Sequence, residues 1–198
     1  GSEVPDEELI WQDPIPAPAY KTIGSRQVGQ LKKAIRATDL SVSELVRTAW
    51  ASASTYRASD RRGGANGARI GLAPQKDWSV NDPQELDRVL TVLGQVQAEF
   101  NEGARRGMQV SLADVIVIGG AAAIEQAAQS AGVNVDVPVV PGRGDATQTQ
   151  TDIPSFDLLQ PSADAFRNHY DASRAYRSDV EMLIDKADQL QLTVSEMT

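Results

Sequence analysis

Cysteine is absent from the 198-residue chain. That excludes disulfides and thiolate metal centres, and it fits a reducing, cytoplasmic setting. Histidine occurs once, as His169. A metal-binding reading of His169 would need further ligands close by, and its neighbours supply none. No uninterrupted apolar run approaches the roughly 20 residues that a membrane-crossing helix requires. The longest, Val115 to Ile118, stops at Gly119-Gly120. Positive charge is the minority sign, with 19 Lys and Arg against 27 Asp and Glu, a net charge of −8. Such a balance repels phosphate backbones and argues against a nucleic-acid partner.

What is present is ordinary globular composition, 41% hydrophobic and 23% charged, in a chain long enough for one domain with a real core. The expected division is residues 1–25, a tag remnant and proline-rich arm, followed by a domain over 26–198. Gly1-Ser2 reads as the remnant. Pro5, Pro14, Pro16 and Pro18 keep the arm extended, and Trp11 is expected to pack it onto the domain surface. Helical spacing predicts helices over Gln27–Thr38, over Ser41 to about Arg57, and from Asp82-Pro83 through Phe100. A further helix starts at Ser111 and ends at Ala131-Gly132. Its small residues, Gly119 to Ala123, predict a buried centre where another helix packs closely. Asn101–Gly107 reads as a polar loop and Val133–Val140 as extended chain. Short helices are expected over Pro154–Leu159 and from Pro161 to about Tyr170, where His169 is read as structural. A capped amphipathic helix is expected over Ser178–Leu190, with Val180, Leu183, Ile184, Ala187 and Leu190 inward. Trp78 is read as a core anchor. Arg143-Gly144-Asp145 spells an adhesion tripeptide, but three residues are too weak a match to carry that function.

The most informative stretch is Ser41 to Gly67. Ser41 and Glu44 form a capping box. Leu45, Val46, Ala49, Trp50 and Ala53 follow at helical spacing as one apolar stripe. A loop of charges and glycines, Asp60-Arg61-Arg62-Gly63-Gly64, comes next. The glycines read as tight turns needing positive φ; no Gly-Lys-Ser/Thr follows to make a phosphate loop.

This stretch resembles the distal-side helix of class I haem peroxidases. In the haem-binding half of catalase-peroxidases the helix reads Arg-x-x-Trp-His-Ser-Ala-Gly-Thr-Tyr-Arg, followed by Arg-Gly-Gly-Ala. Here Arg47, Trp50, Ser52, Ala53, Thr55, Tyr56 and Arg57 match, then Arg62-Gly63-Gly64-Ala65. The histidine of the motif is Ala51. The resemblance extends along residues 9 to 198, through Trp11 to Pro14, Ala73-Pro74 with Trp78, Val110 to Asp114 and Ile124-Glu125. Arg143 and Asp145 correspond to a Gly-Gly-Arg-x-Asp run, and their expected role is a structural ion pair or turn clamp.

The resemblance implies an all-α, haem-peroxidase-like domain: the duplicated, haem-less C-terminal half of a catalase-peroxidase. The chain is expected to be incomplete at its C-terminus, because the capping box Thr193-Val194-Ser195-Glu196 announces a helix with almost no chain after it. In the family the distal histidine takes a proton from peroxide and returns it to the leaving oxygen, which requires a group titrating near neutral pH. An alanine methyl cannot do this, and one histidine cannot serve both faces of a haem. The sites expected are therefore vestigial: Arg47, Trp50 and Ala51, with no catalytic, cofactor-binding or metal residue in this chain. The parent enzyme would carry haem b in its N-terminal domain and disproportionate hydrogen peroxide. This domain would support that half, its partner, within a homodimer, without nucleic acid or membrane. The alternative is a vestigial pocket around Arg47, Trp50 and Ala51 that binds a small molecule.

Overall fold

The computed structural model describes residues 9–104, 107–161, 167 and 176–197. Four long helices frame it: α1 (Ser25–Arg36), α2 (Val42–Ala53), α3 (Pro83–Gly103) and α4 (Leu112–Ser130). Three more follow, the short α5 (Ile153–Phe156), then α6 (Asp179–Leu190), as long as α1 and α2, and the short α7 (Val194–Met197). Among the described residues there is no strand, only three isolated bridges. The fold is all-α.

Helix starts lie where their caps place them. The Ser41 hydroxyl accepts from the Glu44 N–H at 3.2 Å, and the Glu44 carboxylate accepts from the Ser41 N–H at 2.7 Å. Asp82 caps α3 ahead of Pro83, Ser111 caps α4, and Ser178 with Glu181 boxes α6. Thr193 and Glu196 close the expected box at α7. The C-terminus of α4 is a Schellman turn: Val133 N–H reaches Ala128 O at 2.9 Å and Gly132 N–H reaches Gln129 O at 2.9 Å. Gly132 holds the left-handed φ of 79° that this turn demands.

Helix α4 is the core. Ala113, Val115, Ile116, Ile118 and the run Gly119 to Ala123 are all buried in it. Its 19 residues are long and apolar enough to cross a membrane by length and composition, but the interior of the domain accounts for that composition. Its most extensive contact is with α2, and α1 and α3 flank it. A Cβ on Gly120 would stand 2.5 Å from the Cβ of Ala49, and one on Gly119 would stand 3.3 Å from Leu45. The glycines are therefore what lets α2 and α4 meet, as their spacing predicted. Leu31 and Ile35 of α1, and Leu86, Val89 and Leu93 of α3, complete this cluster. A second, smaller cluster forms around Trp78, which is 5% exposed. Its ring stacks on Phe156, and its indole N–H donates to Asp157 Oδ1 at 2.8 Å. Trp78 is the expected anchor, with its polar end satisfied.

Several expectations are revised. On α2 the fully buried side chains are Leu45, Thr48, Ala51 and Ser52, whereas Val46, Ala49, Trp50 and Ala53 are only half-buried. The helix is covered from two sides, by α4 and by α3 with the turn at Gln75, so small polar residues are buried and the stripe does not mark one inner face. Helix α3 runs on through Gly103, where a loop was expected. Asn101 holds that end by bonding both the N–H and the C=O of Val110. On α6 the inward residues are Met182, Lys186 and Ala187, while Val180 is 64% exposed. The helix predicted from Pro161 to Tyr170, with His169, lies outside the described residues except for Pro161 and Arg167.

The arm docks, but not through Trp11, which is half exposed. Asp13 is its anchor. Both carboxylate oxygens accept from buried Arg62, at 2.8 and 3.0 Å, and Arg62 also donates to Ser155 O and Oγ. Arg69 donates to Pro14 O at 2.9 Å. A charged pair with this geometry fixes position through direction and length, which a single large ring cannot do.

Candidate functional site

Arg47 and Ala51 are one helical turn apart on α2, so they share a side of it. Both line a cleft of about 310 Å³ with Thr48, Asn81 and Glu85. The Arg47 guanidinium is paired with the Glu85 carboxylate of α3. Ala51 is 3% exposed, and its carbonyl accepts from Gln75 Nε2 at 3.0 Å. Arg167 closes another wall of the cleft through Asn81 Oδ1 and Ser54 Oγ. On this side of α2 the cleft presents the Ala51 methyl and, beside it, an arginine already paired with a carboxylate.

Trp50 does not join them. It lines a different groove, with Tyr56, Leu190 and Leu192. Three residues that are close in sequence thus divide between two faces of α2. Among the described residues no group of His, Asp and Glu is placed to hold a metal ion.

The glycine loop behaves as turn chemistry. Gly63 and Gly64 adopt φ of 72° and 85°, and a Cβ on Gly63 would lie 2.3 Å from Thr55 O. The Thr55 hydroxyl accepts from the Gly64 N–H at 2.8 Å.

Arg143 and Asp145 clamp a turn, but they do not pair with each other. Arg143 Nη1 donates to Asp114 Oδ1 at 2.9 Å, and Asp114 also accepts from the Gly142 N–H at 2.7 Å. Asp145 accepts from the N–H groups of Leu112 and Ala113 at 2.8 and 2.9 Å. Two carboxylates thus meet the first turn of α4, one inside it and one from the loop, and Asp145 satisfies orphan donors there.

One network was not anticipated from the sequence. Glu125 of α4 accepts from Lys32 and Arg36 of α1 and from the Val137 N–H at 2.9 Å, and Lys32 Nζ donates to Val137 O at 2.8 Å. This pins the extended segment 133–140 across two helices. Burial works against the charge on Glu125. The Lys32 and Val137 hydrogen bonds, with the charges of Lys32 and Arg36, more than offset it and hold the carboxyl below its ordinary range. In the sequence Lys32, Lys33 and Arg36 fall on the face of α1 opposite its apolar one, and nothing there points to Glu125.

Comparison with known proteins follows the same lines. The chain is 59% identical over all 198 residues to a catalase-peroxidase of Shewanella loihica, of which it spans 26%. It is 57% identical over its whole length to a catalase-peroxidase of Yersinia pestis, spanning 27%, and equally to one of Yersinia pseudotuberculosis. The chain therefore covers about a quarter of the length of these relatives. The profile of the family described as peroxidase matches residues 28–198, most of the chain, and the chain is a member of the peroxidase family.

Proposed function

We propose that this chain is the haem-less C-terminal half of a catalase-peroxidase and supports the haem-bearing half without performing chemistry itself. The observation that carries the reading is Ala51, buried on the same side of α2 as Arg47, where the resembling motif has its histidine. The cleft does not fit a haem. A methyl stands where the resembling motif has its base, and the Arg47 guanidinium is already engaged by Glu85 rather than left to face developing charge. No step is assigned to a haem in this chain. In the parent enzyme the haem of the N-terminal half would disproportionate hydrogen peroxide in the cytoplasm. This domain would pack against that half within a homodimer.

The alternative, a small-molecule module built on Arg47, Trp50 and Ala51 together, loses ground because Trp50 opens onto a different groove. The test of the supporting role is addition of this chain to haem-half protein lacking its C-terminal half. Recovered catalase activity, with a shift of the haem spectrum toward the intact enzyme, is expected. An unchanged spectrum and rate at saturating, folded chain would overturn the reading.

A further inference from the structure

The groove that Trp50 lines has an uneven chemistry. Its volume is about 460 Å³, within the range of small-molecule sites. Trp50 and Tyr56 from the end of α2, with Leu190 and Leu192 from the end of α6, make an apolar floor. The two sides are tied together by the Ala58 N–H, which donates to Gln189 O at 2.9 Å. Arg61 and Arg143 also line the groove, and none of its described lining residues is acidic. In a chain with a net charge of −8, a concave surface whose described lining has two guanidiniums and no carboxylate goes against the overall field.

The two arginines are not equivalent. Arg143 is committed to Asp114 and to Val140 O. Arg61 is exposed and makes no ion pair among the described residues. Its neighbour Asp60 is already taken by Arg57 and by the Arg62 N–H. Arg61 is held in the left-handed region, φ 59°, by the turn that precedes Gly63. An exposed guanidinium with no ion pair among the described residues, on a backbone held by the turn and beside an aromatic floor, suits a ligand with a planar apolar body and one negative end.

We propose that this groove is a binding site for small aromatic carboxylates, with the ring over Trp50 and Tyr56 and the carboxylate on Arg61. The site is separate from the Arg47 cleft, and it does not depend on the supporting role.

The test is an NMR titration of the ¹⁵N-labelled chain, following the three tryptophan indole N–H signals, that of Trp50 being assigned with Trp50→Phe. Phenylacetate is the probe, and phenylacetamide, isosteric but uncharged, is the control. A saturable shift of the Trp50 signal with phenylacetate, at least about tenfold weaker with phenylacetamide, is expected from a charge-assisted contact. Arg61→Gly accepts the left-handed backbone without strain and should weaken phenylacetate binding about tenfold, to the level of the amide. Arg61→Lys should retain part of the preference. Absence of a saturable Trp50 shift, or equal binding of acid and amide, would overturn the proposal. So would unchanged affinity in Arg61→Gly.

Discussion

Glu125 draws two cations and one N–H group onto a carboxylate whose side chain is 10% exposed. Replacing it with glutamine leaves Lys32 without its main counter-charge, and should cost about 2 kcal/mol at neutral pH. Because its folded pKa is depressed, the stability it contributes is full above the ordinary value of 4.5 and is lost as pH falls through the lowered folded value. Denaturant unfolding between pH 7 and pH 3 should therefore show a steeper acid loss for the parent chain than for Glu125→Gln. Asp145 gives a second outcome at this scale. Asp145→Ala strips two N–H groups at the start of α4 of their acceptor and should destabilise by about 1–2 kcal/mol. The same measurement at pH 7 checks it. Ala51 gives a third. Ala51→His places one imidazole in a cleft whose arginine is already paired, so titration with haemin followed by peroxide assay should show neither a shift of the Soret band from that of free haemin nor turnover above it. A turnover rate above that of free haemin would contradict the vestigial reading.

Close packing of α2 on α4 is a property of elements. Gly120→Ala forces a methyl to within 2.5 Å of Ala49 and should cost about 1–3 kcal/mol by overpacking. Pairing it with Ala49→Gly should recover part of that loss, less about 1 kcal/mol for glycine in a helix, a coupling that a double-mutant cycle measures. This approach of two helices was legible in the sequence because small residues ran together from Gly119 to Ala123. So were the helix starts, since Ser41, Asp82, Ser111, Ser178 and Thr193 act on donors two or three residues away. The rotational phase of α2 was not legible. Which way Trp50 faces depends on α4, α3 and the Gln75 turn all pressing on one helix, and buried Thr48 and Ser52 carry no hydrophobic signal. The partners of Arg143 and Lys32 were hidden for the same reason. Asp114 lies 29 residues from Arg143, and Glu125 lies 93 from Lys32. Ala51 was the reverse case. One substituted position inside a recognisable motif said more about the candidate site than any periodicity, and the geometry added where that side chain points.

At the scale of the whole molecule, the arm and the domain are joined by charge. Asp13→Ala leaves Arg62 buried beside Ser155 without its carboxylate, and should cost about 3 kcal/mol. It should also loosen the arm before the core melts. Limited proteolysis at 25 °C is expected to cut between residues 14 and 22 faster in the variant, while α4 stays protected. Equal cleavage rates would mean that the prolines and Ile15, which packs near Gly67 and Gly144, suffice to hold the arm. The Asp13–Arg62 tie also bears on the order of assembly. Arg62 follows Asp13 by 49 residues, and Ser155, which completes the contact, comes a further 93 on. During synthesis the segment around Asp13 must therefore stay undocked until residue 155 has emerged, so the seam it closes forms later than the helix pairs of α1 to α4.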